Sequence, residues 1–151
     1  MGVEQLVQQE LVQQELSVLP PRYHLLGERE QQYFKDLQAY EAPWLYEKLV
    51  QEKQVTSEED YQLRFTEWKK YVALLRISAE GLGMVSQRVD MLWHQFILFT
   101  RHYTDFSEQF YGKYIHHEPK TSFTPLDTKI DERFYEWYHL VYGCVPEIWR
   151  G

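Results

Sequence analysis

The chain has 151 residues, 44% hydrophobic and 26% charged, which is one domain's length with enough apolar material for a core. Only six Pro and seven Gly exclude a long low-complexity protein, and 16 basic against 23 acidic residues (net charge −7) argue against nucleic acid, whose phosphates need Lys and Arg. A single cysteine, Cys144, excludes an internal disulfide and a Cys-rich zinc site.

Residues 1–19 read as an amphipathic N-terminal helix and 20–151 as one helical domain. The N-terminal part holds a short duplication, Leu6 to Glu10 and Leu11 to Glu15, with Val3, Leu6, Val7 and Leu11 able to share a slanted face before Pro20-Pro21. Such a helix docks on its own core or on a partner. The first 20 residues carry three Glu and no Lys or Arg, so no secretory signal is expected, and the expected compartment is the cytoplasm. No apolar run approaches the length of a membrane span.

Next, Glu28 to Tyr40 places Tyr33, Phe34, Leu37 and Tyr40 on one side of a helix, and Pro43 opens another. Thr56-Ser57-Glu58-Glu59-Asp60 is a helix start, with a capping hydroxyl and acids in the first turn. The helix that follows runs to about Ser78 and aligns Tyr61, Phe65, Trp68, Val72 and Leu75 in one stripe. Lys69-Lys70 reads as an ordinary solvated pair.

Ser86 caps a helix with Val89, Trp93, Phe96 and Ile97 inward, and Thr100 caps its continuation through Tyr103, Phe106 and Phe110 to Gly112. Lys113 to Pro125 is irregular. A last helix starts at Asp127 and closes at Gly143. No segment alternates with period two. The expected fold is an all-α, compact single-domain bundle of five to seven helices with an irregular loop before the last one.

The densest chemistry lies in Asp90 and His94 together with Ile115-His116-His117-Glu118-Pro119. Asp90 and His94 share a helix face, with Cβ atoms about 6 Å apart. A carboxylate there fixes an imidazole tautomer, or both groups bind one metal with His117 or His116 as a third ligand. Two His and one carboxylate suit zinc or non-haem iron. The pattern is not H-E-x-x-H, and His102 sits about 12 Å further along a straight helix, too far for one ion. A plain Asp–His hydrogen bond, with His117 capping a loop carbonyl, fits the same residues. Cys144 has no base on its own helix face, and Gly81-Leu82-Gly83 is no nucleotide loop. No catalytic set is complete.

The stretch Val89-Asp90, Trp93-His94, Leu98, Thr100, Tyr103, Phe106, Gly112, Ile115-His116-His117 and Pro119 resembles the core of the glycine-rich domain-containing protein-like family. On that resemblance Asp90, Trp93, His94, Gly112, His117 and Pro119 occupy motif positions, mainly in the C-terminal half. The second histidine of the family's W-H-x-H is Phe96 here, so one ligand is missing if those histidines bind metal. The resemblance implies a fold and a motif rather than an activity.

The 5 Trp, 12 Tyr and 8 Phe need explaining. Tyr and Trp dominate binding hot spots, and the acidic balance and N-terminal helix point the same way. The expected function is therefore a small acidic helical interaction module, a subunit or regulator with a protein partner, no cofactor and no complete catalytic machinery. Tyr23, Tyr40, Tyr46, Tyr114, Tyr135 and Trp149 fall off the buried stripes and are expected to mark one contact surface. The alternative is a zinc- or iron-binding enzyme or sensor centred on Asp90, His94 and His117.

Overall fold

The structure, a computed structural model, describes residues 2–5, 16–127 and 129–150. Six α-helices follow one another: α1 (Glu28–Ala39), α2 (Pro43–Gln51), α3 (Glu58–Ser78), α4 (Gln87–Leu98), α5 (Thr100–Tyr111) and α6 (Lys129–Tyr142). Short 3-10 turns lie at Tyr23–Leu25 and Glu147–Trp149, and no strand occurs among the described residues. The fold is all-α, with an irregular stretch between α5 and α6 as the sequence predicts. Most of the expected N-terminal helix, residues 6–15, lies outside the described residues, and Ser17–Leu19 are not helical.

The start of α3 follows directly from its sequence. The Ser57 hydroxyl accepts from Asp60 N at 3.0 Å, and the Asp60 carboxylate accepts from Thr56 N at 3.1 Å. One orphan donor of the first turn is thus satisfied by the cap, and the Asp60 side chain ties down the residue ahead of the cap. The helix then runs through the middle of the bundle and packs against α4, α5 and α6. Tyr61, Phe65, Trp68, Val72 and Leu75 are all buried. So is every other residue from Arg64 to Leu75, because neighbours surround the helix rather than one face of it.

This corrects the reading of Lys69 and Lys70 as solvated. Both are buried, at 5% and 6% exposure. Lys69 Nζ donates to the carbonyls of Tyr40 (2.7 Å) and Gln38 (3.4 Å), the last carbonyls of α1, where a cation is favoured. Lys70 Nζ lies 2.8 Å from Glu67 Oε2 and donates to Tyr138 OH at 3.2 Å. Glu67 is fully buried, and its Oε1 accepts from Tyr138 OH (2.6 Å) and Trp149 Nε1 (2.8 Å). A buried carboxylate needs this many partners to offset its lost hydration. The network ties α6 and the C-terminal turn to the central helix.

Ser86 caps α4 by accepting from Val89 N, as its position predicts. The chain then breaks at Phe99 (φ −85, ψ 70), so Thr100 is the first residue of α5 and caps nothing. The break lets α4 and α5 pack against each other instead of forming one rod. Gly112 ends α5 at φ +90, a left-handed conformation in which a Cβ is strained. Gly83 is required for a different reason: a Cβ there would sit 3.1 Å from Asp131 Cα and clash with the Asp131 carboxylate, where Gly83 N bonds Ile130 O.

About half of the 25 rings are buried, in one continuous aromatic core around Trp68, Phe96, Phe106 and Tyr103. The residues ahead of α1 join it: Val18 is buried, Val18 N donates to Gln38 Oε1 and Val18 O accepts from Tyr142 OH. Among the described residues no helix is long and apolar enough to cross a membrane.

Candidate metal centre

Asp90 and His94 are one helical turn apart on α4, so both project from the same face. His117 arrives from the chain beyond α5. The left-handed Gly112 turns that chain back, and Ile115 is buried, which carries His117 to the same face. His117 Nε2 then lies 2.8 Å from Asp90 Oδ1 and 3.0 Å from His94 Nε2. His94 Nε2 lies 3.5 Å from Asp90 Oδ2. The three donor atoms share one small volume.

A metal fits that volume. Two donors about 2.0–2.1 Å from a tetrahedral ion lie about 3.3 Å apart. The two imidazole nitrogens are 3.0 Å apart, and the carboxylate approaches His117 through Oδ1 at 2.8 Å and His94 through Oδ2 at 3.5 Å, so small shifts of these side chains reach that value. Hydrogen bonds account for the arrangement less well. A single hydrogen on His117 Nε2 has to be divided between a carboxylate and another imidazole nitrogen. A cation takes all three lone pairs at once. The plain alternative keeps its Asp–His hydrogen bond, now between His117 and Asp90 at 2.8 Å, with the His117 Nε2 facing Asp90 and His94.

The walls grade from dry to wet. The side chains of His117, Asp90 and His94 are 14%, 29% and 52% exposed. Burial lowers the affinity of His117 for a proton against the opposing pull of Asp90, with His94 lowering it further. That shift favours the neutral form, which is the one that ligates metal. Its inner face stacks on Trp93, with centroids 3.7 Å apart and planes at 14°. The exposed side of His94 leaves room for further ligands from solvent.

The other residues singled out by sequence go elsewhere. His116 packs edge-on to Tyr114, and His102 stacks on Trp44. Pro119 lies in a wholly exposed stretch from Glu118 to Asp127. Cys144 is exposed and free. Tyr103 is missing from the expected centre, yet its hydroxyl bonds both Trp93 and the carbonyl of Ile115, two residues before His117.

The six rings expected on one contact surface sit on different elements of the chain. Tyr23 precedes α1, Tyr40 ends it, Tyr46 is on α2, Tyr114 follows α5, Tyr135 is on α6 and Trp149 is in the C-terminal turn. None of them stacks on another of the six. Tyr40 lies edge-on to Phe106 and Phe110, Tyr46 packs on Tyr61, and Tyr135 OH donates to Trp149 O. Trp149 is corrected outright. It is fully buried, because its indole N–H satisfies the buried Glu67 and its ring packs on Phe134.

No curated protein matches the chain. No solved structure matches it either. The resemblance to the glycine-rich domain-containing protein-like family does not hold, since the family model that matches is a different one. Asp90, His94 and His117 at these spacings gather three donors on one helix face, and that local solution does not identify a family. The match spans residues 30–141, from α1 to α6 and across the whole centre, and the chain belongs to the UCP032817-like family.

Proposed function

We propose that the chain is a metal-binding protein whose Asp90, His94 and His117 hold one divalent transition-metal ion, zinc or ferrous iron, with at least one position open to solvent. The observation that carries this reading is that His117 Nε2 lies 3.0 Å from His94 Nε2 and 2.8 Å from Asp90 Oδ1, three metal-ligating atoms gathered together. The donor set of two imidazoles and one carboxylate suits both metals. When bound with an open position, such an ion polarises a ligand or acidifies a bound water. This chain's residues orient it: Trp93 fixes the plane of His117, and Asp90 supplies the negative charge. A cytoplasmic setting, suggested by first residues that carry no Lys or Arg and by no apolar run of spanning length, belongs to the same proposal.

The interaction-module reading loses one of its six rings, since Trp149 is buried, while Tyr23, Tyr40, Tyr46, Tyr114 and Tyr135 are half-buried or exposed. Calorimetric titration of chelator-stripped chain with Zn2+ or anaerobic Fe2+ tests the metal reading. Saturable binding to a single site supports it, and no heat of binding with either ion sinks it.

A further inference from the structure

Trp93 and Tyr103 form a closed relay around the third ligand. Trp93 sits one residue before His94 on α4. Its ring is the floor on which the His117 imidazole lies, 3.7 Å away and nearly parallel. Its Nε1–H donates to Tyr103 OH at 2.8 Å. The Tyr103 hydroxyl, fully buried on α5, donates in turn to Ile115 O at 2.6 Å. Ile115 is two residues before His117, and the stretch from Glu118 onward is exposed and offers it no second anchor. So α4 sets the position of Asp90 and His94 by its own hydrogen bonds, whereas His117 depends on what grips the backbone beside it.

We propose that Tyr103 is a positioning residue for the metal centre. It donates to Ile115 O and accepts from Trp93, and so fixes the His117 imidazole against the Trp93 ring at bonding distance from the Asp90–His94 pair. This rests on the metal reading above. Outer groups of this kind preorganise a ligand, and their loss leaves the donors present but misplaced.

The test compares Tyr103→Phe with Tyr61→Phe in the full chain. Tyr61 OH also donates to a backbone carbonyl, Ala42 O at 3.0 Å, but away from the centre. Tyr61→Phe loses one buried hydrogen bond and Tyr103→Phe loses two, one of them from Trp93, and thermal melting measures each cost. Zn2+ affinity is read by competition with a chromophoric chelator, and the coordination by the visible absorption of Co2+. The expected result is a zinc affinity weakened about 10- to 100-fold in Y103F, with an altered Co2+ spectrum. Y61F keeps the wild-type affinity and spectrum. Should Y103F fail to fold, Trp93→Phe breaks the relay at its other end while keeping a ring under His117, and the same loss is expected. Wild-type affinity and spectrum in Y103F, or an equal loss in Y61F, overturns the proposal and leaves the metal reading standing. Wild-type chain that binds none of Zn2+, Co2+ and anaerobic Fe2+ overturns both.

Discussion

The Nε2 atoms of His94 and His117 lie 3.0 Å apart although 23 positions separate the residues in the chain. Folding thus brings two lone-pair donors together beside a carboxylate. Replacing His94 with Ala removes the most exposed of the three ligands, so the metal-free protein should melt within about 0.5 kcal/mol of wild type. Metal binding should be lost. Calorimetric titration and denaturant melts on the same sample separate the two effects. Unchanged metal affinity with a loss of about 1–3 kcal/mol would instead describe a purely structural hydrogen bond.

Metal should also stabilise the fold, because the unfolded chain does not hold these three donors together. At a free Zn2+ concentration of about 100 times Kd the gain is about 2.7 kcal/mol, and chelator should reverse it. Asp90→Asn keeps the shape of the side chain but removes its charge. In that variant the zinc-dependent shift in melting temperature should shrink or vanish. A full shift in Asp90→Asn would take the carboxylate out of the centre.

Several parts of this architecture are legible in the sequence because their causes are local. Ser57 and Ser86 cap their helices through donors three residues on. The spacing of Asp90 and His94 alone puts them on one face, and His117 is the histidine that joins them. What is not legible depends on distant partners. Lys69 and Lys70 look solvated until α1 and α6 are packed around α3. Trp149 looks like a tail residue until Glu67, 82 positions away, is seen to accept its N–H. The break at Phe99 carries neither Gly nor Pro, so no local signal marks it.

The buried Glu67 makes a sharp stability prediction. Glu67→Gln leaves the Lys70 ammonium inside without its counter-charge and should cost about 3–5 kcal/mol. Adding Lys70→Met should recover part of that loss, since the uncompensated charge goes with it. Urea melts of the two single variants and the double variant measure the coupling. A double variant less stable than Glu67→Gln would mean that Lys70 contributes through packing rather than charge.

Stability should rise with pH above neutrality. Burial lowers Lys69 from 10.5 to about 8. A base whose folded value is depressed binds its proton more weakly when folded than when unfolded. The unfolded chain therefore holds more protons between about pH 8 and 10.5, and stability climbs across that window. At the upper end the trend turns. Burial raises Tyr40 to about 12, so its neutral form is favoured by folding and stability falls as pH passes above 10. Urea melts at a series of pH values should show the rise in wild type and its absence in Lys69→Met. A flat profile in wild type would mean that the carbonyls of Gln38 and Tyr40 fully offset the burial of the ammonium.

The most direct measurement is the metal content of the chain expressed without a histidine tag and passed through mild desalting. Elemental analysis should find close to one zinc or iron per chain, removable by chelator with a fall in melting temperature. Metal far below stoichiometry, with melting that neither chelator nor added Zn2+ or Fe2+ moves, would contradict a metal centre at Asp90, His94 and His117.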